Sequence, residues 1–157
     1  MALVHSVLMA AIGGMRAMTP LAAVANAARD GLLPRGNGAP DWLSSRVTSA
    51  ATGALALAEM AGDKMKGAPD RIALPGLLAR CATGAIAAVA LAPARQRNTA
   101  ALLGAAAATG SSYATFRMRK YALRRYGQTP TGVVEDGISA AGAALVVAGV
   151  GQTKRGR

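Results

Sequence analysis

Ala-rich apolar stretches set apart by short bursts of Lys and Arg constrain this chain more than any other feature. The bursts fall at Arg29 and Arg35, at Lys64, Lys66 and Arg71, at Arg95 and Arg97, from Arg117 to Arg125, and from Lys154 to Arg157. With 39 alanines in 157 residues and only 16% charged residues, the chain has ample apolar surface but too few charges to cover a water-exposed globule. A bilayer is the expected solvent. The length allows one domain, taken as residues 1–152, with a basic tail at 153–157.

A net charge of +11 raises the alternative of a nucleic-acid binder, because counterion release rewards clustered cations. The placement of the cations between apolar segments argues for membrane loops instead. No aromatic platform is interleaved with them, so no nucleic acid is expected as a partner. Cys81 stands alone and is expected as a small packing residue, and the single His5 cannot define a metal site.

Residues 2–28 are apolar but interrupted at Gly13, Gly14 and Pro20. A secretory signal is the competing reading, since AVANA resembles a cleavage site, but there is no basic n-region and Arg16 lies inside the apolar run. Pro20 lacks a backbone donor and clashes with the preceding turn, so a break is expected near it, hinged at Gly13, Gly14 and Pro20. Broken helices are tolerated in a bilayer where protein or a water-lined cavity satisfies the freed backbone groups. The loop DGLLPRGNGAPD (30–41) follows, with Trp42 placed for a membrane interface and Ser44 and Ser45 as candidate helix caps.

Further spans are expected at about 43–62, 76–92, 99–116 and 131–150, divided by breakers at Gly67, Pro69, Pro75, Pro93 and Gly127 to Pro130. The short ARQRN turn implies an antiparallel helix pair. Gly104, Ser111 and the AAAA run suit close helix packing. The segment FRMRKYALRRY (116–126) is expected to emerge into headgroups and touch anionic lipid.

Within Thr48–Lys64, at about 100° per residue, Thr48, Thr52, Glu59 and Asp63 fall in roughly a 60° sector. This helix therefore carries one polar stripe. Of the seven acidic residues, Glu59, Asp63, Glu135 and Asp136 lie in or beside apolar spans, as do the basic Arg16, Lys64 and Arg80. A charge at a helix centre costs about 2.5–3.5 kcal/mol on insertion scales, so such groups face inward and pair. These seven residues form the expected polar or ion site, with a structural brace as the competing role.

Basic residues divide eight to eight between the two sides of a five-crossing arrangement, so they set no orientation. RAMTPLAAVA from Arg16 and RCATGAIAAVA from Arg80 share Arg-x-x-Thr before an Ala-rich run, an echo of the repeats found in transporters.

GMRAMTPL, LAEMAGDK (57–64), RCATGA (80–85) and VVED (133–136) occur in an order that resembles domain-of-unknown-function family 4126, over nearly the whole chain. The resemblance picks out Arg16, Pro20, Glu59, Asp63, Lys64, Arg80, Gly84, Glu135 and Asp136. The chain departs from the family pattern at Lys66 and Cys81, where prolines are usual. The resemblance implies an integral membrane protein of the bacterial inner membrane and supplies no activity.

The expected fold is thus all-α, a polytopic bundle of four to five spans whose first segment is broken. The expected function is a small transporter or channel for an ion or polar solute, the alternative being a non-catalytic scaffold or lipid-associated accessory protein. No nucleophile–base pair, metal-ligand spacing or cofactor loop is legible, so neither an enzyme nor a cofactor is expected. The bilayer and a second copy of the chain, as a homo-oligomer, are the expected partners.

Overall fold

A computed structural model describes residues 2–63 and 73–155, and its regular structure is entirely helical among those residues. The helices are α1 (Ala2–Ile12), α2 (Met18–Arg29), α3 (Arg46–Gly62), α4 (Leu74–Leu91), α5 (Arg97–Tyr126) and α6 (Gln128–Arg155). Short 3-10 turns at Asp41–Ser44 and Ala94–Gln96 precede α3 and α5.

The first apolar segment is two helices that double back. Three successive i→i−3 bonds, from Gly13, Gly14 and Met15 to Ala10, Ala11 and Ile12, tighten the end of α1 and stop it. Gly14 is required by proximity, because a Cβ there would lie 2.5 Å from the Ser112 backbone nitrogen of α5. Pro20 does not make the break. It sits in the first turn of α2, where its missing N–H would have had no intrahelical partner.

Neighbours fix the direction of each piece. Leu3 packs against the cluster of Ala10, Ala88, Ala92 and Ala100, whereas Gly14 meets Ser111 and Ser112 farther along α5, so α1 runs parallel to α5. His5 lies beside Gly149 and Ile12 beside Gly142, so α1 is antiparallel to α6. Arg29 Nη1 donates to Ser49 Oγ at 3.0 Å at one end of the α2–α3 pair, and Glu59 meets Ala17 and Met18 at the other. Consequently α1 enters from the end of the molecule that carries the 30–45 loop, turns at residues 13–17, and α2 returns to that same end. At ~1.5 Å per residue each arm is about 16–18 Å long, roughly half of a ~30 Å hydrocarbon core.

Helices α4 and α5 form the antiparallel pair that the tight turn implied. A Cβ on Gly84 would lie 2.5 Å from Ala108 Cβ, and one on Gly104 would lie 2.7 Å from the Gly84 carbonyl oxygen. The backbones meet because both positions are glycine. Helix α5 runs about 45 Å at ~1.5 Å per residue, continuing through 116–126 as expected to Tyr126, where Gly127 at φ +84 ends it. Pro130 falls in the first turn of α6 and does not interrupt it. Helix α6 continues into the basic tail as far as Arg155. Ser45 caps α3 by accepting the Thr48 N–H at 2.9 Å, while Ser44 bonds the Asp41 carbonyl instead.

The loop end is closed by backbone bonds from Gly38 to Ala92 and from Ala94 to Gly36, over the buried Leu33 and Leu43. Around a hydrophobic core that includes Met9, Leu21, Val24, Leu91 and Val146, several polar side chains are also buried and many large apolar ones are exposed. Arg16 is the largest fully buried side chain, and Ser6, Ser112 and Ser139 are also fully buried. Leu57, Leu74, Leu102, Met118 and Leu145 are about 70% exposed, with Val47 more so. Among the described residues, two helices are long and apolar enough to cross a membrane, Leu74–Leu91 and Gln128–Gly151.

Candidate functional site

The polar stripe of α3 faces inward. Thr52 is buried and returns its hydroxyl to the Thr48 carbonyl, while Ser49, beside them, joins Arg29 and Asn26 of α2. Toward the C-terminus the stripe meets the α1–α2 break. Glu59 Oε1 accepts the Ala17 N–H and Oε2 accepts the Met18 N–H, both at 2.9 Å. These donors belong to the start of α2, where no side chain of α2 itself caps the helix. A carboxylate there satisfies orphan donors and lies favourably in the helix dipole.

Arg16 stands in the break itself, with its side chain 1% exposed. Its Nη1 donates to Asp63 Oδ2, and its Nη2 lies 2.6 Å from Asp136 Oδ1, a contact with ion-pair distance but without hydrogen-bond alignment. Arg16 thereby ties α3 to α6. Asp63 caps the C-terminal end of α3, so cations there complement the opposite pole of that helix.

Arg80 of α4 approaches Glu59 Oε1 at 3.8 Å and donates from Nη1 to the Gly76 carbonyl at 3.1 Å. Arg119 of α5 donates from Nη1 to Glu135 Oε2 at 2.6 Å and lies 3.2 Å from Asp63 Oδ2. Gln128 of α6 donates to the Asp63 carbonyl at 3.0 Å. Thr115 donates to the Gly14 carbonyl at 3.1 Å, holding the glycine turn on α5.

Arg16, Glu59, Asp63, Arg80, Glu135 and Asp136 therefore converge in one cluster joined by five of the six helices. Lys64 lies outside the described residues. Among the proposed hinge residues, Gly13 and Gly14 lie in the turn, and Pro20 lies beyond it. Arg16 occupies a break whereas Arg80 sits in a continuous helix, so the two Arg-x-x-Thr segments have different local structures around a shared chemical role.

Arg119 was missed by sequence, being grouped with the headgroup cations of 116–126. The signal that singles it out is spacing: Ser112, Thr115 and Arg119 recur at helical intervals on the side of α5 that turns inward, while Arg117 and Lys120 are exposed. Beside the Arg119–Glu135 pair, α5 and α6 leave between them a cleft of about 440 Å³, lined chiefly by apolar atoms of Met15, Met118, Tyr126, Val134 and Ile138.

The sequence profile described as "Domain of unknown function (DUF4126)" matches residues 3–152. The chain belongs to this family. No curated protein and no solved structure matches the chain. The family has no assigned activity to transfer, so function rests on the DUF4126 cluster described above.

Proposed function

We propose that this DUF4126 protein is a non-enzymatic integral membrane protein of the bacterial cytoplasmic membrane that moves a small ion or polar solute. Helices α3 to α6 cross the bilayer four times, and α1–α2 is a re-entrant hairpin. The many exposed Leu, Val and Met side chains together with the buried Arg16 support the membrane reading, since such a surface suits lipid better than water.

The observation that carries transport is the meeting of a broken helix with an internal charge cluster. Three guanidinium groups, those of Arg16, Arg80 and Arg119, face four carboxylates among the described residues. Broken helices that meet internal charged groups are the usual setting for solute sites in transporters. The test is flux in vesicles reconstituted with the full chain. Protons and small ions carried by wild type, with loss of flux in folded Glu59→Gln or Asp136→Asn protein, support the proposal. Wild-type vesicles inert across a broad solute panel overturn it.

A second reading, a membrane scaffold, is favoured by the complete burial of Arg16 and the close pairing around it. There the cluster braces the bundle and a homo-oligomer or partner uses the exposed faces. It expects the same substitutions to reduce thermal stability or oligomer content and a pull-down to recover a stoichiometric partner.

A further inference from the structure

The helix directions assign every connection to one of two ends of the molecule. Backbone bonds from Gly38 to Ala92 and from Ala94 to Gly36 hold the 30–45 loop against the turn between α4 and α5, and the His5–Gly149 contact brings the later part of α6 toward the same end. At the other end Asp63, which closes α3, lies 3.2 Å from Arg119, beside the turn from α5 into α6. Helix α5 sets the distance between them. Arg97 at its start and Arg117 near its far end are about 30 Å apart at ~1.5 Å per residue, the thickness of one hydrocarbon core.

Cations flank that core almost equally on its two sides. The first end carries Arg29 and Arg35 after α2, Arg46 at the start of α3, Arg95 and Arg97 at the turn into α5, and in sequence Lys154, Arg155 and Arg157, eight in all. The second has Lys64, Lys66 and Arg71 in the sequence between α3 and α4, then Arg117, Lys120, Arg124 and Arg125 on α5, seven in all. Arg119 leaves the count because Glu135 and Asp63 engage it inside the bundle, as Arg16 and Arg80 are engaged. Acidic residues do not tip the balance. Asp30 and Asp41 belong to the first end and Asp70 to the second, which leaves a net six positive charges on each. Aromatic anchors are shared as well, with Trp42 exposed at the first end and Tyr121 and Tyr126 at the second.

Orientation in a membrane is set chiefly by the difference in Lys and Arg between the short connections on its two sides. Here either orientation leaves nearly the same number of cations to be translocated. We propose that the chain inserts in both orientations in comparable amounts, so that each copy shares the bilayer with inverted copies of itself. Gly14 meets Ser112, about 22 Å along α5 from Arg97 at ~1.5 Å per residue, so the charge cluster lies nearer the second end. Inverted copies therefore carry that cluster toward opposite leaflets. The inference rests on the four-crossing membrane arrangement proposed above and not on transport.

The test uses the full chain in a Cys81→Ser background with one new cysteine, Asn98→Cys at the first end or Thr129→Cys at the second, both at exposed positions and neither changing charge. Intact bacterial cells are treated with a membrane-impermeant maleimide, and labelling is compared with that after permeabilisation, a cytosolic thiol protein serving as the leakage control. About half of the molecules are expected to react at each end. Adding Asn98→Lys and Thr99→Lys to the Thr129→Cys chain should hold the first end in the cytoplasm and raise labelling at Thr129→Cys about twofold, to nearly all molecules. Labelling of one end nearly completely and of the other scarcely at all overturns dual insertion. Labelling at Thr129→Cys that the two added lysines leave unmoved overturns it too, since orientation is then not balanced on charge. Recovery of the chain in the soluble fraction overturns the membrane reading itself.

Discussion

Arg16 and Glu59 cap each other's helices. The Glu59 carboxylate takes the N–H groups of Ala17 and Met18 that start α2, and Arg16 reaches back to the Glu59 carbonyl at 3.5 Å and the Asp63 carboxylate that ends α3. Each helix end inside the molecule is thus neutralised by its antiparallel neighbour, which is what lets the chain reverse there without exposing backbone to an apolar surrounding.

Glu59→Ala is therefore expected to cost more than the loss of one surface charge. Two buried N–H groups lose their acceptor, at about 1–3 kcal/mol each. Glu59→Gln keeps one acceptor oxygen and should fall between wild type and Ala. Thermal unfolding in detergent ranks the three, and a Gln variant as stable as wild type would show that α2 does not depend on the carboxylate.

Removing Arg16 withdraws one guanidinium from two carboxylates. Arg16→Leu is expected to destabilise by about 3–5 kcal/mol, the range for breaking a buried pair from one side. Arg16→Lys should rescue little, because an ammonium cannot span Asp63 and Asp136 as a planar fork does. Adding Asp136→Asn to Arg16→Leu should recover part of the loss, and a cycle with zero coupling would contradict the 2.6 Å contact.

Much of this site was legible because charge in an apolar span has few places to go. Glu59, Asp63, Glu135 and Asp136 had to face inward, and Arg16 and Arg80 were the cations at matching depth. What sequence could not place was the reversal at Gly13 and Gly14. A chain that crosses and one that turns back have the same composition, and the difference lies in the contact of Gly14 with Ser112, 98 positions away. Pro20 misdirected attention for a related reason, since a proline breaks a helix interior but opens a helix start. Arg119 was hidden among solvated neighbours, where composition outweighed its spacing from Ser112 and Thr115.

Two glycines of α5 separate close packing from helix propensity. Gly104→Ala would drive a Cβ to within 2.7 Å of the Gly84 carbonyl oxygen, whereas nothing lies within 4 Å of a Cβ at Gly110. The first change is expected to destabilise by about 1–3 kcal/mol through overpacking. The second should stabilise by about 0.5–1 kcal/mol through reduced chain entropy. Parallel melting curves of the two variants test the α4–α5 interface directly.

Asp30, in the loop after α2, provides an exposed counterpart to the internal cluster. A hydrogen bond from Arg29 holds its carboxyl below the usual carboxylate range, against an opposing rise from desolvation and with a smaller coulombic attraction from the same group. A depressed folded-state pKa means that any stabilisation is present at neutral pH and is lost as pH falls through that value. The pair is solvent-screened, so Asp30→Asn is expected to leave the melting temperature nearly unchanged at pH 7 and to flatten its acid dependence slightly.

Arg117 and Arg119 stand two residues apart on α5 and should behave oppositely. Arg117 is exposed, and Arg117→Leu is expected to change stability by no more than about 0.5 kcal/mol. Arg119 is 10% exposed and sits between Glu135 and Asp63, so Arg119→Leu strips two carboxylates at once and should cost about 3–5 kcal/mol. Because Arg119 also closes the inner end of the α5–α6 cleft, its loss should raise the reactivity of a cysteine placed at Ile138 toward a water-soluble thiol reagent, in a Cys81→Ser background. Unchanged reactivity together with unchanged stability would mean that Arg119 belongs, like Arg117, to the solvated end of α5, and that the cluster ends at Asp63.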